Sequence, residues 1–160
     1  MAATGAARRT VVSASVDIDA PPERVFAALV DWSSQGAWML GTRVRQTGPA
    51  TGGADQGVGV TVAAFTGIGP LGFLDTMVVS EWDPPRRCAV RHTGRVVRGV
   101  GAFEVTPLPH GRSRFAMIEH LEVPGGALGA LGFRLVRPLF TAGIALSLRR
   151  FARWAPRQPA

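Results

Sequence analysis

The strongest constraint on the fold is a change in hydrophobic period along the chain. From 42 to 123 the apolar residues mostly alternate with a period of two, and turn residues recur between the alternating runs. From 128 to 154 the apolar residues recur at helical spacing instead. A run of strands with short links, followed by one long helix, predicts an antiparallel sheet and a terminal helix that packs on it.

The residues before this run add one strand and two short helices. Residues 11–18 are rich in β-branched side chains and predict a strand, and 19–30 begin with Asp and two Pro and continue with apolar residues at helical spacing. Residues 31–35 predict a second short helix that ends at Gly36. Six further strands are predicted at 42–46, 57–65, 73–82, 87–92, 96–106 and 113–123.

The terminal helix has a wide apolar arc with small residues along its middle. One flank of the arc is the row Leu128, Leu131, Leu135, Leu139, Ala142 and Leu146. The other flank is the row Phe133, Val136, Phe140, Ile144, Phe151 and Trp154. The small residues between them are Gly129, Gly132, Gly143 and Ser147. Either these small residues leave a hollow beneath the helix, or they let the helix approach the sheet closely; the segment alone favours neither.

Length and composition predict one folded domain. The chain has 160 residues, of which 46% are hydrophobic and 18% charged, so it can bury a stable core without disulfide bonds or a structural metal. We expect a single domain at 11–155 with flexible ends at 1–10 and 156–160. The single cysteine, Cys88, excludes an intramolecular disulfide and fits a reducing compartment. No secretory pattern follows the N-terminal Arg pair, and we therefore expect a cytoplasmic protein.

The charge pattern argues against nucleic-acid binding. The formal net charge is +7 and every basic residue is Arg, but the Arg residues are scattered and are not interleaved with aromatic residues. A solvated basic surface is the expectation. The most apolar stretch, 128–148, is interrupted by Arg134, Arg137 and Pro138, so we expect no integral membrane segment. The protein is expected to be a monomer or a homodimer.

The order of elements and several motifs resemble a known family. The motifs are Val-Asp-Ile-Asp-Ala-Pro-Pro-Glu-Arg-Val-Phe at 16–26, Asp-Trp at 31–32, Glu-Trp-Asp-Pro-Pro-Arg-Arg at 81–87, Phe-Glu-Val-Thr-Pro at 103–107 and Leu-Arg-Arg-Phe-Ala at 148–152. With them, nearly the whole chain resembles the polyketide cyclase/dehydrase-like (SRPBCC) proteins of the START-like superfamily. The resemblance is specific for the fold and weak for function, because one fold hosts many functions.

The resemblance implies an α+β helix-grip fold. In that fold a curved antiparallel sheet of about seven strands wraps around the long C-terminal helix, two short helices follow the first strand, and a cavity lies between sheet and helix. The family includes carriers, cyclases, hydrolytic enzymes and regulators, and it has no shared catalytic triad to carry over. We expect the cavity to bind a hydrophobic small molecule such as a lipid, polyketide or isoprenoid.

Two other functions stay open at this point. The first is a polyketide cyclase, aromatase or dehydratase that works without a cofactor and moves protons with a carboxylate or a histidine in the cavity. The second is a protein-interaction module whose cavity is filled by side chains. The sequence has no clear pair of nucleophile and base, which favours binding over catalysis modestly.

Three residues are candidates for catalysis. By alternation Glu119 shares a strand face with Phe115, Met117 and Leu121, so it would place a carboxyl group in an apolar wall. A slip of one residue would bring His120 inward instead. His92 is the third candidate, because histidine titrates near neutrality. The simpler alternatives are a Glu119 paired with Arg at the cavity mouth and a structural His92. Asp75 shares a face with Phe73 and Met77 and is a weaker candidate.

The residues expected to line the cavity are mostly apolar. They are Trp38, Met39, Phe65, Phe73, Met77, Phe103, Phe115, Met117, Leu121, Leu135, Leu139 and Gly143. We expect no metal site, since the three His lie on different elements, and no cofactor site. The glycine-rich run 67–72 joins two strands and contains Pro70, so it predicts a hairpin tip at the cavity entrance and not a phosphate loop.

Overall fold

The computed structural model describes residues 8–123 and 126–159 and has the predicted order of elements. The strand β1 (Arg8–Ile18) is followed by the helix α1 (Pro22–Val30) and a 3₁₀ helix (Trp32–Ala37). Six strands then precede the long helix α2 (Gly126–Trp154). They are β2 (Thr42–Gly48), β3 (Thr61–Ile68), β4 (Leu71–Asp83), β5 (Arg87–His92), β6 (Gly99–Leu108) and β7 (Arg112–Val123). Short 3₁₀ turns lie at Pro109–Gly111 and Ala155–Arg157.

The seven strands form one antiparallel sheet in the order β1-β7-β6-β5-β4-β3-β2. Strands β2 to β7 form a meander in which each pairs with its neighbour in sequence, and β1 pairs with β7 along its whole length, from Arg8 opposite Val123 to Ile18 opposite Ser113. The long helix and the two short helices complete the helix-grip α+β fold that the resemblance implied. Of the predicted flexible ends, residues 1–7 and 160 lie outside the described residues, and β1 begins within the predicted 1–10 segment.

The C-terminal half of α2 packs on the sheet through an aromatic cluster. Phe151 is fully buried, and its ring lies 4.8 Å from that of Trp38 and 5.2 Å from that of Phe115, with edge-on geometry in both pairs. Ile144 and Leu148 on the same helix face are also buried. Because aromatic pairs of this kind bury large apolar areas, the cluster fixes this end of the helix against the sheet.

The N-terminal half of α2 is more exposed than the sequence pattern predicts. Of the two apolar rows, the one with Ile144 and Phe151 meets the sheet. The other row faces outward, with Leu135 75% and Leu139 78% exposed, so the expectation that these two residues line a cavity was wrong. Helical periodicity places the rows on adjacent flanks, but only the packing of the aromatic cluster decides which flank faces the sheet.

The outward row gives α2 an unusual apolar surface. By length and composition alone, the helical segment Gly129–Arg157 is long and apolar enough to cross a membrane. Only 11% of its most apolar 18-residue stretch is buried. The buried contacts of Ile144, Leu148 and Phe151 hold the same helix on the sheet, and a spanning helix would have to give them up. That the chain lacks an integral membrane segment therefore stays our prediction.

The hairpin of β3 and β4 is longer than the turn residues predict. The sequence suggested a link at 66–72, whereas the strands continue to Ile68 and Leu71 and turn at Gly69, which has a φ of 58°. Gly67 and Gly72 lie opposite each other in the ladder, and a Cβ on either residue would overlap backbone atoms of the facing strand. Glycine at both positions thus lets the two strands stay paired to the tip.

We expect Phe151→Ala to destabilise the protein by about 3–5 kcal/mol, because it removes a fully buried aromatic ring and leaves a cavity. Leu139→Ala, on the exposed side of the same helix, should change the free energy of unfolding by less than about 0.5 kcal/mol. Urea unfolding followed by circular dichroism measures both. Equal losses in the two variants would contradict the assignment of the inner and outer faces of α2.

Candidate functional site

A mainly apolar cavity of about 270 Å³ lies between the sheet and α2. This volume lies just below the range for small-molecule sites, which is roughly 300–1,000 Å³. Strands β2 to β7 and the helix all contribute to the wall. The apolar side chains of the wall include Met39, Leu40, Val44, Ala64, Phe73, Met77, Val90, Phe103, Met117, Leu121, Phe140 and Ile144.

Small residues in the wall keep the cavity open. Gly143 lines the cavity from α2, and a Cβ at this position would meet no atom within 4 Å. Ala64 on β3 and Gly101 on β6 line it from the sheet. At Gly143, therefore, the small residue leaves a hollow under the helix and does not serve close contact with the sheet.

Three titratable residues meet in the cavity wall, on three different strands. Asp75 lies on β4, His92 at the end of β5 and Glu119 on β7. Nδ1 of His92 is 2.7 Å from Oδ2 of Asp75, and Nε2 of His92 is 3.2 Å from Oε2 of Glu119. We call these three residues the carboxylate–histidine cluster.

The sheet positions this cluster through its register and through one glycine. β6 lies between β5 and β7, with Gly99 opposite His92 and Gly101 opposite Glu119. A Cβ at Gly101 would lie only 2.9 Å from each carboxylate oxygen of Glu119. Because Gly101 has no side chain, the Glu119 side chain can extend across β6 and reach His92.

The cluster favours a protonated His92. Both ring nitrogens face carboxylate oxygens, and only the imidazolium form can donate a hydrogen bond from each nitrogen. The side chain is only 7% exposed. Burial alone would lower the pKa of His92, but the hydrogen bonds and negative charges of Asp75 and Glu119 outweigh it and raise the pKa to about 9.

Glu119 is the member of the cluster best placed to meet a ligand. Both nitrogens of His92 are already engaged by carboxylates. Glu119 uses Oε2 for His92, and its other oxygen, Oε1, has no hydrogen bond to any residue that the structure describes. Oδ1 of Asp75 is buried, and it too has no partner within 8–123 and 126–159. A hydrogen-bond donor on a ligand therefore has an acceptor in Glu119.

The structure places most of the predicted site residues in the cavity wall. Of the candidates for catalysis, Glu119 and His92 are there and are hydrogen-bonded to each other. The predicted ligand-binding residues in the wall are Met39, Phe73, Met77, Phe103, Met117, Leu121 and Gly143. What these residues do stays a prediction, since position alone assigns no role.

Six predicted residues lie outside the cavity wall. Trp38 and Phe115 belong to the aromatic core and are fully buried against each other and Phe151. Phe65 points to the other face of β3, where Arg43 stacks over its ring at 5.4 Å, because its neighbours Ala64 and Thr66 face the cavity. The remaining three are His120, Leu135 and Leu139.

The register of β7 explains His120. Residues Phe115, Met117 and Leu121 on β7 are buried, whereas His120 is exposed on the opposite face of the sheet. The slipped register that would bring His120 inward is therefore wrong. Leu135 and Leu139 face outward because of the orientation of α2 described above.

Several polar wall residues were not predicted. They are Gln35, Thr42, Thr66 and Ser147. Alternation along β3 from Ala64 would have indicated Thr66, but Gln35 and Ser147 depend on how the helices dock. Cys88 also lines the cavity, and burial raises the pKa of its thiol to about 12, so it stays protonated at neutral pH. Among the described residues, no group of three or more His, Cys, Asp or Glu is arranged to hold a metal ion.

The fold and the apolar cavity define a helix-grip protein that encloses a hollow under its long helix. The sequence model of the family "Polyketide cyclase / dehydrase and lipid transport" matches residues 9–155. The chain therefore belongs to that family. No curated protein matches the sequence.

Solved structures with the same fold are distant in sequence. The Thermus thermophilus protein TTHA0849 has 17% identity and a TM-score of 0.75, and the match covers 92% of this chain and 97% of that one. The Zhui aromatase/cyclase from Streptomyces sp. R1128 has 17% identity and a TM-score of 0.74, with 94% and 95% covered. A Polyketide_cyc-like protein from Corynebacterium glutamicum has 16% identity and a TM-score of 0.63, with 93% of each chain covered. At these identities the likeness shows the fold alone.

We expect the raised pKa of His92 to make stability depend on pH. The folded value of about 9 lies above the ordinary value of 6.5, so the stabilisation is complete below about pH 6.5 and is lost as pH rises through 9. Its size is on the order of 3 kcal/mol. Urea unfolding between pH 6 and pH 9.5 measures it.

Two variants make this test specific. His92→Gln should remove most of the loss of stability between pH 6 and pH 9.5, whereas His120→Gln, at the exposed histidine of β7, should leave it in place. A His92 ring resonance that titrates near pH 6.5 in NMR spectra would contradict the carboxylate–histidine cluster.

Proposed function

We propose that this protein binds a small hydrophobic molecule in the cavity, with a hydrogen-bond donor of the molecule directed at Glu119. One observation carries the proposal: the wall of an open, mainly apolar hollow contains the carboxylate of Glu119, whose Oε1 has no hydrogen bond within the part of the chain that the structure describes. Sites of this kind use apolar contacts for affinity and a few polar groups for orientation. Family membership supports hydrophobic ligand binding or a cyclase role in general terms.

The cavity volume limits the part of the ligand that can be buried. A cavity of about 150 Å³ accepts benzene, so about 270 Å³ has room for one or two rings or a short branched chain. A polyketide- or isoprenoid-like fragment fits that space, whereas a whole diacyl lipid does not. Phe73 and Phe140 line the cavity and are also 37% and 40% exposed, so they mark an opening through which a longer ligand could extend.

The charges in the wall favour a donor over an acid. The carboxylate–histidine cluster contains two carboxylates and one imidazolium, and the imidazolium already donates to both carboxylates. A carboxylate on the ligand would lie beside the carboxylate of Glu119, and His92 would have no free donor to offer it. The two negative charges would repel each other at such close range. A phenol, an alcohol or an enol would instead donate a hydrogen bond to Glu119.

The carboxylate–histidine cluster also favours a second candidate function, proton transfer in a cyclase or dehydratase. Glu119 would accept the proton from the substrate, and His92 and Asp75 would hold its carboxylate in place. General acid–base catalysis needs such a group within hydrogen-bond reach of the substrate. The Zhui protein is named an aromatase/cyclase, and a second structural neighbour, the di-domain ARO/CYC BexL, carries a similar name. A role as an interaction module with a filled cavity has no such support, because the hollow is open.

We expect Gly143→Leu to weaken ligand binding strongly without unfolding the protein. A Cβ at this position meets open space, so the leucine side chain can enter the cavity and occupy part of it. Gly132→Leu is the matched control: its Cβ also meets no atom, but the residue is exposed and lies outside the wall. Both substitutions raise the helix propensity by a similar amount, roughly 1 kcal/mol. A difference in ligand affinity between the two variants therefore reports on the cavity.

Binding of 1-naphthol, followed by its fluorescence, is the measurement for this pair. The expected result is an at least tenfold weaker affinity for Gly143→Leu and an unchanged affinity for Gly132→Leu. If both variants bind as the native protein does, the ligand does not occupy the cavity.

Glu119→Gln separates the two candidate functions. The amide keeps the shape but is a poorer acceptor, so affinity for 1-naphthol should fall about five- to tenfold. The native protein should also prefer 1-naphthol to 1-naphthoate.

Turnover of a synthetic linear poly-β-ketone thioester tests the second candidate function. If the protein is an enzyme, Glu119→Gln should lower this turnover by about 10²- to 10⁴-fold. A native protein that binds the thioester without converting it is a carrier, and equal turnover in both forms would contradict a catalytic Glu119.

A further inference from the structure

Two exposed apolar surfaces adjoin the residues that mark the cavity opening. On the hairpin of β3 and β4, Ile68 is 87% and Leu71 80% exposed, and Leu74 is also exposed. On α2 the outward row exposes Leu131, Leu135 and Leu139. We call these six residues the apolar rim. Large apolar side chains grouped in this way are rare on a free surface and mark interaction sites.

Each half of the apolar rim adjoins one residue of the cavity wall that marks the opening. Phe73 lies next to Leu74 on β4, and Phe140 lies next to Leu139 on α2. Both Phe side chains line the same cavity and both are partly exposed. A partner that covers both halves of the rim therefore lies beside the two wall residues that mark the opening.

The charges beside the rim indicate what could cover it. The hairpin tip 66–74 contains no charged residue, and α2 contains five Arg and no Asp or Glu. Along the outward face of α2 the spacing of four and three residues that gives Leu135, Leu139, Ala142 and Leu146 continues with Arg149 and Arg153. Arg149 and Arg153 are exposed. Apolar residues with Arg on one helix face are typical of helices that lie in the surface of a membrane containing anionic lipids.

A second copy of the chain fits this surface less well. Two copies that pair through α2 would bring together helices that each carry five Arg, with no acidic residue on either helix to compensate. The formal net charge of +7 on each chain adds to the repulsion. The same charges are attracted to an anionic bilayer, so charge complementarity favours the lipid surface.

We propose that the apolar rim docks on an anionic lipid bilayer, with the cavity opening against the membrane surface. The leucine side chains and the hairpin tip enter the boundary of the acyl chains, and Arg149 and Arg153 lie among the anionic headgroups. Docking in this orientation gives a hydrophobic molecule a path between the bilayer and the cavity that avoids water.

Vesicle flotation of the full chain tests the proposal. With vesicles of phosphatidylcholine and phosphatidylglycerol we expect binding that weakens in 0.5 M salt and is weak on phosphatidylcholine alone. Ile68→Glu combined with Leu135→Glu should reduce binding by at least tenfold. Arg149→Gln combined with Arg153→Gln should reduce it roughly fivefold for each arginine.

Val58→Glu is the matched control, because Val58 is an exposed apolar residue in the link before β3, at the opposite end of that strand from the hairpin tip. It should bind vesicles as the native chain does. The rim variants should still bind 1-naphthol without vesicles, so a failure of docking is distinguishable from a failure of the proposed ligand site.

Two outcomes would overturn the proposal. The first is vesicle binding that is absent in the native chain or unchanged in the rim double variant. The second is a native dimer that Leu135→Glu converts to a monomer in sedimentation equilibrium, without any vesicle binding, which would assign the rim to a second copy of the chain.

Discussion

The docking of α2 on the sheet is the contact on which the rest of the structure depends. Its C-terminal half is held by the ring of Phe151 against Trp38 and Phe115. Toward the N-terminal half the contact with the sheet gives way to the cavity, where Gly143 faces open space. The same arrangement produces the hollow and leaves a row of leucine residues on the outside of the helix. The same helix thus packs into the core at its C-terminal end and forms part of the cavity wall near its middle.

The carboxylate–histidine cluster gives the cavity its polarity. His92 lies between Asp75 and Glu119, and the low exposure of all three strengthens their hydrogen bonds. The cluster requires Gly101, since any side chain there would displace the carboxylate of Glu119. The imidazolium of His92 binds one oxygen of each carboxylate, so the other oxygen of Glu119 stays an acceptor in an apolar wall. Such an acceptor can orient a hydrogen-bond donor of a ligand and, with a suitable substrate, remove a proton.

Local patterns predicted the parts of the site that lie on strands. Alternation along β7 placed Met117, Glu119 and Leu121 on one face, and the cavity wall contains all three. The same reasoning placed Phe115 in the wall, but the aromatic core covers it, because alternation gives the face of a residue and not what packs over it. On α2, two apolar rows satisfied the helical period equally well, and Leu135 and Leu139 of the outward row were wrongly expected to line the cavity.

The sequence by itself determined the order of elements, the single antiparallel sheet and the inward face of β7, because hydrophobic periods and turn residues act over short stretches of chain. Tertiary structure decided three things: which flank of α2 meets the sheet, the contact of Asp75 with His92, and the approach of His92 to Glu119 across Gly101. Those contacts join residues 17 and 27 positions apart. They depend on strand register and on helix docking, which no local pattern encodes.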